Sequence, residues 1–298
     1  MAIKRSIALG FFDGVHVGHA ALLNCALKRA EEHDLLPSVL SFDVHPDLLV
    51  TGKDIRLINS AADREGILKR QFGIQDMVFL HFSKSLMTMP WHDFLDSFVD
   101  EMQIGWIVAG HDFTFGYKGE GNPERLKEYC REKGIGCDII SPVRLDDVIV
   151  SSTYIRGLLS EGKIEEANRY LGHPHVLTDE IRSGYHLGTQ IGTPTINMFF
   201  QPGVLIPRHG VYAAKAYIDG KVYKAVTNIG VRPTVSSDDR VSVESYLLDF
   251  TGNLYGHSAR IEFYYFLRGE MKFDSVDELS ARIKADAETA DRLLSQLP

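Results

Sequence analysis

The sequence predicts an α/β domain built on a parallel sheet, followed by a small antiparallel β-barrel domain with a C-terminal helix. Three observations point there. Short apolar runs alternate with helically spaced segments through the first half, the pattern of strand–helix–strand units. After Gly172 the chain becomes rich in Tyr, Val, Ile and Thr broken by turn residues, as in small all-β folds. With 298 residues there is enough chain for two cores, since domains cluster at roughly 100–200 residues.

In chain order, residues 7–11, 38–42, 77–82, 106–109 and 138–140 read as buried strands. Between them, Leu22, Leu23, Ala26, Leu27 and Ala30 make one apolar helix face. A second helix begins near Ser60 and carries Ile67, Leu68 and Phe72, and a third follows Pro90. A fourth starts at Asn122-Pro123, a good N-cap with proline in the first turn. A last helical stretch is expected from about Thr153 to Leu171, with GLLSEGKI (157–164) as surface helix. The domain boundary is expected near residues 172–178, giving domains 1–174 and 175–298. In the second half, Asp219-Gly220 suits a type I′ turn joining strands within 213–226. A further strand pair, VESYLLDF with ARIEFYYFL, is expected around Thr251-Gly252-Asn253, with Glu244 and Asp249 on the first strand. Ser275 and Glu278 form a capping box for the final helix, whose apolar face holds Leu279, Ile283, Leu293 and Leu294.

The composition narrows the function. A net charge of −8 argues against a nucleic-acid partner, which needs a basic face, while leaving room for a phosphorylated small ligand. The cysteines, Cys25, Cys130 and Cys137, are odd in number and far apart, without zinc-site spacing, and read as free thiols of a reducing compartment. The apolar run 7–12 ends at Asp13, too short for a signal core, and nothing approaches the ~20 apolar residues of a membrane span. A cytoplasmic location follows as the expectation.

Two segments carry phosphate chemistry. GFFDGVHVGH (10–19) runs from the first strand into the first helix, where backbone N–H groups and a positive helix end can meet phosphates. Gly10, Gly14 and Gly18 allow tight turns and close approach, and His16 and His19 can face one polyphosphate. VSSTYIR (150–156) offers Ser151, Ser152 and Thr153 at a helix start and Arg156 as a planar donor to phosphate oxygens. Either segment alone is common; an HxGH after the first strand with an SSTxxR before a late helix is rare. GLLSEGKI matches GxxxxGK, but Ile164 stands where a phosphate-binding loop needs Ser or Thr. In the second half GTPTIN (192–197), NIGVRPT (228–234) and VESYLLDF (243–250) bring Thr195, Asn197, Arg232 and Glu244.

The first two motifs together resemble Rossmann-like nucleotidyltransferases, which bind ATP between these segments. Taken in order with SFDVHP (41–46), GHDFTFG (110–116), GTPTIN, GVYAAKAY (210–217), NIGVRPT, VESYLLDF and FLRGEMKF (266–273), they make nearly the whole chain resemble the bacterial bifunctional riboflavin kinase/FMN adenylyltransferases, the FAD synthetases. The chain departs from that pattern at Val44, at Gly119 and Gly121-Asn122, and at His186, Thr189 and Thr193.

The resemblance implies two reactions, riboflavin to FMN in the second domain and FMN to FAD in the first, each using ATP with Mg²⁺. It implies catalytic roles for Glu244, His16, His19 and Arg156. Gly10, Phe11, Asp13, Gly14, Gly18, Ser151, Ser152, Thr153, Gly192, Pro194, Thr195 and Asn197 would bind ATP and its phosphates, with Thr195 and Asn197 also serving Mg²⁺. His45, Asp112, Phe113, Arg232 and Arg268 would bind flavin. The partners implied are riboflavin, FMN and ATP, with no nucleic acid and no membrane, and the oligomeric state is left open. Three other readings stay open: an FMN adenylyltransferase with a kinase-inactive barrel, an adenylyltransferase for another phosphorylated substrate, and a non-enzymatic flavin-binding regulator.

Overall fold

A computed structural model describes residues 3–182, 195–231 and 241–297. Contacts divide the chain into two compact units, 1–57 with 64–152, and 58–63 with 153–298.

The first part of the chain runs β1 (Arg5–Leu9), α1 (Val17–His33), β2 (Leu36–Phe42), α2 (Pro46–Val50), α3 (Ala61–Phe72), β3 (Asp76–Leu80), α4 (Lys84–Met87), α5 (Trp91–Val99), β4 (Ile104–Gly110), α6 (Pro123–Lys133), β5 (Gly136–Ile140), and the short pair β6 (Arg144–Leu145) and β7 (Val148–Ile149). All five expected strands form one sheet, in the order β3-β2-β1-β4-β5, with every pairing parallel. Strands covered on both faces read as continuous apolar runs, and β1 shows why. Ser6 turns to α1, its hydroxyl donating to the Ala26 carbonyl at 2.8 Å. Ile7 and Leu9 turn the other way, into a cluster with Phe94, Leu95 and Phe98 of α5 and Leu126 of α6. The strand order reverses beside β1, and loops leaving the carboxyl ends of strands there are where such sheets take ligands.

The second part contains α7 (Ser152–Glu161), α8 (Ile164–Leu171), β8 (His175–Glu180), β9 (Thr195–Met198), β10 (Gly210–Ile218), β11 (Lys221–Val231), β12 (Val241–Leu247), β13 (Ser258–Arg268) and α9 (Val276–Leu294). The strands make one curled antiparallel sheet in the order β8-β13-β10-β11-β12-β9. Among the described residues its two edges meet at one bridge, Arg182 with Asn197. The Asp219-Gly220 turn has both residues at positive φ, 49° and 75°, as type I′ requires. Ser275 caps α9 as expected, accepting from the Glu278 N–H at 3.1 Å, while the Glu278 carboxylate takes the Asp274 N–H.

Three expectations are corrected. The stretch 153–171 is two helices, because Gly162 takes φ +81° and turns the chain. The GLLSEGKI segment therefore ends one helix and starts the next, and its Leu158 and Leu159 are buried. β12 and β13 do not pair with each other; β10 and β11 stand between them. Asp249 lies beyond β12 in a left-handed turn at φ 57°.

His175 on β8 is fully buried, and neither ring nitrogen has a partner among the described residues. Burial, then the nearby His173, pushes its pKa down to about 3. The unfolded chain, with an ordinary histidine near 6.5, takes up the proton first as pH falls. Stability from this group is therefore complete above about 6.5 and is lost as pH drops toward about 3, by up to ~1.4 kcal/mol per pH unit. A His175→Phe protein is expected to lose that part of the acid sensitivity, read as the difference in urea midpoint between the two proteins across this range.

Candidate active site

The loop leaving β1 is held in a sparsely populated backbone conformation. Phe12, Gly14 and Val15 all have positive φ, at 57°, 80° and 42°, which is free for glycine and costs on the order of 1–3 kcal/mol at each of the others. Strain of that kind persists only where surrounding contacts over-determine it. Ser152 supplies one such contact, its hydroxyl donating to the Asp13 carbonyl at 2.9 Å and so pinning the first residue of α7 to this loop. Arg64 supplies another. It is 1% exposed and donates to the Phe11 carbonyl at 2.6 Å and the Phe42 carbonyl at 3.0 Å. Its guanidinium also lies 4.6 Å from the centre of the Phe11 ring, and the Phe11 and His45 ring centres are 4.6 Å apart.

His16 and His19 are brought together as the motif implied. His16 is the N-cap of α1, its Nδ1 accepting from the His19 N–H at 3.2 Å. The two rings stack with centroids 3.6 Å apart and 11° between planes. A Cβ on residue 18 would stand 3.0 Å from the His16 ring, so Gly18 is the small residue that lets the stack form. A Cβ at Gly10 would stand 3.2 Å from the Phe12 ring. The Nδ1 of His19 is buried without a partner among the described residues. Burial, reinforced by the charges of His16 and Arg64, holds the His19 imidazole well below its ordinary pKa, so it is neutral near pH 7. Ser151 is half-buried beside Ser152, and Arg156 follows on α7, donating to the Thr153 hydroxyl at 3.1 Å.

The same unit holds a cavity of roughly 650 Å³ whose aromatic lining includes Phe42, Phe82, Phe94, Phe113, Phe115 and Tyr117. Phe113, expected at a flavin site, lines it. His45 is the N-cap of α2, its Nδ1 accepting from the Asp47 N–H at 3.2 Å. Asp112 is exposed, with its carboxylate 3.8 Å from His111 Nδ1.

In the second unit, register assembles a row across the sheet. Asn197 on β9 is opposite Glu244 on β12, and Glu244 is opposite Asn228 on β11. Thr195, opposite Tyr246, lies one step along the same face. Glu244 and Tyr246 are half-exposed while Ser245 and Leu247 are buried, the alternation read from the sequence. Ser242, two residues before Glu244 and on its face, donates to the Glu244 carboxylate at 3.4 Å. Arg268, expected to meet flavin, has its guanidinium on Asp286 of α9, at 2.9 and 2.7 Å. Asp286 is 3% exposed, so this pair ties α9 to β13. Gly192, Pro194 and Arg232 lie outside the described residues.

Sequence reasoning missed Arg64, Asn228 and the aromatic cavity. Arg64 was within reach, since it shares a helix face with Ile67 and Leu68 at the spacing of apolar positions. A cation there is a buried charge. Asn228 faces Glu244 only through the β11–β12 register, which no turn in the sequence sets.

A family model for FAD synthetase matches residues 2–154 and one for riboflavin kinase matches residues 171–294. A bifunctional riboflavin kinase/FMN adenylyltransferase of Bacillus subtilis is 34% identical over 299 residues, covering 99% of this chain and 94% of the relative. One from Listeria monocytogenes is 32% identical over 297 residues with the same coverage. A solved structure from Streptococcus pneumoniae, described as a macrolide-efflux protein, superposes with a TM-score of 0.84 at 30% identity, covering 98% of this chain and 95% of its own. In this chain, among the described residues, no helix is long and apolar enough to cross a membrane. With both domain models placed in order and relatives matched end to end, the chain belongs to the bifunctional riboflavin kinase/FMN adenylyltransferase family.

Proposed function

We propose that this protein makes FAD from riboflavin in two ATP-dependent steps, the kinase step in residues 175–298 and adenylyl transfer in residues 1–174. Membership of the family over the whole chain carries this reading. In the first step the terminal ribityl hydroxyl attacks the γ-phosphate of ATP, its proton passes to a base, and ADP leaves with FMN formed. Glu244 is the base: it stands on the half-exposed face of β12, with the Ser242 hydroxyl 3.4 Å from its carboxylate and with Asn197 and Asn228 opposite it in the sheet.

Thr195 and Asn197 lie on the strand next to Glu244 and offer oxygen donors, the kind Mg²⁺ prefers. Among the described residues no cluster of three or more His, Cys, Asp or Glu could hold a metal. That donor set fits an ion carried largely by nucleotide phosphates and water, with one or two protein oxygens. Bound there, Mg²⁺ would supply charge neutralisation on the phosphates.

In the second step a phosphate oxygen of FMN attacks the α-phosphate of a second ATP, and pyrophosphate leaves. The nucleophile is already an anion, so donors matter more than a base. His16, His19, Arg156 and the hydroxyls of Ser151 and Thr153 are the proposed donors, while Ser152 holds the strained loop in place through the Asp13 carbonyl. The aromatic cavity, with Phe113 in its wall, suits a flat flavin ring. His45 is proposed to act on the flavin side through its ring contact with Phe11. ATP, riboflavin and three free thiols all suit a cytoplasmic enzyme.

Chromatography after incubation with riboflavin, ATP and Mg²⁺ tests the whole reading. FAD is the expected product. Unchanged riboflavin, or FMN that goes no further, would refute the first or the second assignment respectively.

A further inference from the structure

Glu244 divides its sheet into two sides. Toward β9 lie Thr195 and Asn197, the proposed nucleotide side. Toward β11 and β13 the neighbours change character. Asn228 is opposite Glu244, and Gly230 is opposite Ser242, whose hydroxyl reaches Glu244. If the phosphates sit on the β9 side, the hydroxyl that attacks them must arrive from the β11 side.

Gly230 has an unusual neighbour there. Its backbone is not in the left-handed region, so alanine would be tolerated on conformational grounds alone. Space is the constraint: a Cβ on residue 230 would fall on Oε1 of Glu270 and stand 3.4 Å from Nδ2 of Asn228. Glu270 follows β13, and its carboxylate is laid over the bare backbone of Gly230. His209 Nδ1 stands 3.7 Å from its other oxygen, and the side chain stays 48% exposed. A carboxylate held against a strand by a glycine, beside an amide donor and still open to solvent, is placed to accept hydrogen bonds from an incoming ligand. A surface glutamate needs no such seat.

We propose that Glu270, seated on Gly230 beside Asn228, positions the polyol chain of the flavin substrate by accepting a hydrogen bond from one of its hydroxyls. The inference rests on the kinase reading above. The ribityl chain is a row of hydroxyl donors, and Glu244 with Glu270 offers two acceptors on one strand face. Glu244 takes the terminal, reacting hydroxyl, and Glu270 holds a hydroxyl further along. Glu270 is a positioning residue, so its loss weakens substrate capture and leaves the phosphoryl transfer intact.

The test is steady-state kinetics of FMN formation by the full-length protein and its Glu270→Ala, Glu270→Gln, Gly230→Ala and double Gly230→Ala/Glu270→Ala variants. Loss of one hydrogen bond to a charged acceptor corresponds to about a tenfold or greater rise in KM for riboflavin, with kcat nearly unchanged. Glu270→Gln, which keeps an acceptor oxygen, is expected to lie between wild type and Glu270→Ala. Gly230→Ala displaces the carboxylate and is expected to resemble Glu270→Ala. The double variant is expected to be no worse than either single change, since both remove one interaction. Inhibition by a flavin with a methyl group in place of the polyol is expected to be unaltered in every variant.

A fall in kcat at constant KM would overturn the proposal, as would equal weakening of the methyl-flavin inhibitor or additive losses in the double variant. A raised Mg²⁺ requirement with normal riboflavin KM would overturn it too, by making Glu270 a metal-side residue. A melting curve of each variant reports on folding, and unfolding of Glu270→Ala is answered by the milder Glu270→Gln. Wild-type protein that makes no FMN at all would instead refute the kinase reading.

Discussion

Glu244→Gln is expected to slow riboflavin phosphorylation by about 10²–10⁴-fold, the scale of a positioned general base. FAD formation from supplied FMN is expected to be unchanged. The substitution keeps the shape and the hydrogen-bonding reach of the side chain and removes only its basicity. On the opposite face of β12, Ser245 is fully buried and shares a 2.8 Å hydrogen bond with Thr227, so the strand cannot rotate to hide a changed residue 244. A solvated glutamate on a barrel strand would cost almost nothing to replace. The measurement is single-turnover FMN production with saturating ATP and riboflavin, beside a melting curve. Near-normal turnover by the folded variant would sink the assignment and favour a flavin-binding barrel without kinase activity.

The fold was legible where one physical signal dominates. Five strands could be found because a sheet covered on both faces leaves continuous apolar runs, and the Asp219-Gly220 hairpin because two consecutive left-handed residues have few solutions. Pairing between distant strands was not legible. β12 and β13 look like a hairpin because they are consecutive and β-rich, yet each finds its partner through β11 and β10. A glycine inside a helical pattern was ambiguous as well: Gly162 could have been tolerated within a helix and instead ends one.

The site divides in the same way. The stacked His16 and His19 follow from local spacing on one helix start. Arg268 shows the limit, since nothing in its own segment marks the ion pair it makes with Asp286. Its partner Asp286 lies on the buried side of α9, a polar residue in the apolar seam beside Ala290 and Leu294. That carboxylate was the available clue. A buried acid on an amphipathic helix needs a cation, and Asp286 has two, Arg268 at 2.7 Å and Arg282 of its own helix at 3.1 Å.

His19→Ala is expected to reduce FAD formation from FMN by on the order of 10²-fold or more, the usual scale for losing a donor to transition-state charge. Riboflavin phosphorylation is expected to be nearly unchanged, since its proposed residues lie on β9 and β12. His19 is the sharper choice within the motif. His16 also caps α1, so its removal mixes catalysis with loss of the helix cap; His16→Asn retains a cap and is the fair companion. His19 has no comparable structural duty, and its buried Nδ1 lacks a partner among the described residues. A neutral imidazole presents one N–H donor and needs no protonation to act. Because burial and the adjacent charges hold its pKa well below the ordinary value, FAD formation should not lose activity through His19 as pH rises past 6.5. A histidine acting as a cation would give the opposite profile, with activity falling as the proton leaves. Arg156→Ala is expected to cost a similar factor, since a fixed guanidinium is the other proposed donor. The decisive comparison is the pair of rates, FMN formation and FAD formation, for each folded variant. Equal losses in both reactions at an unchanged melting temperature would show that the two sites have been assigned to the wrong halves of the chain.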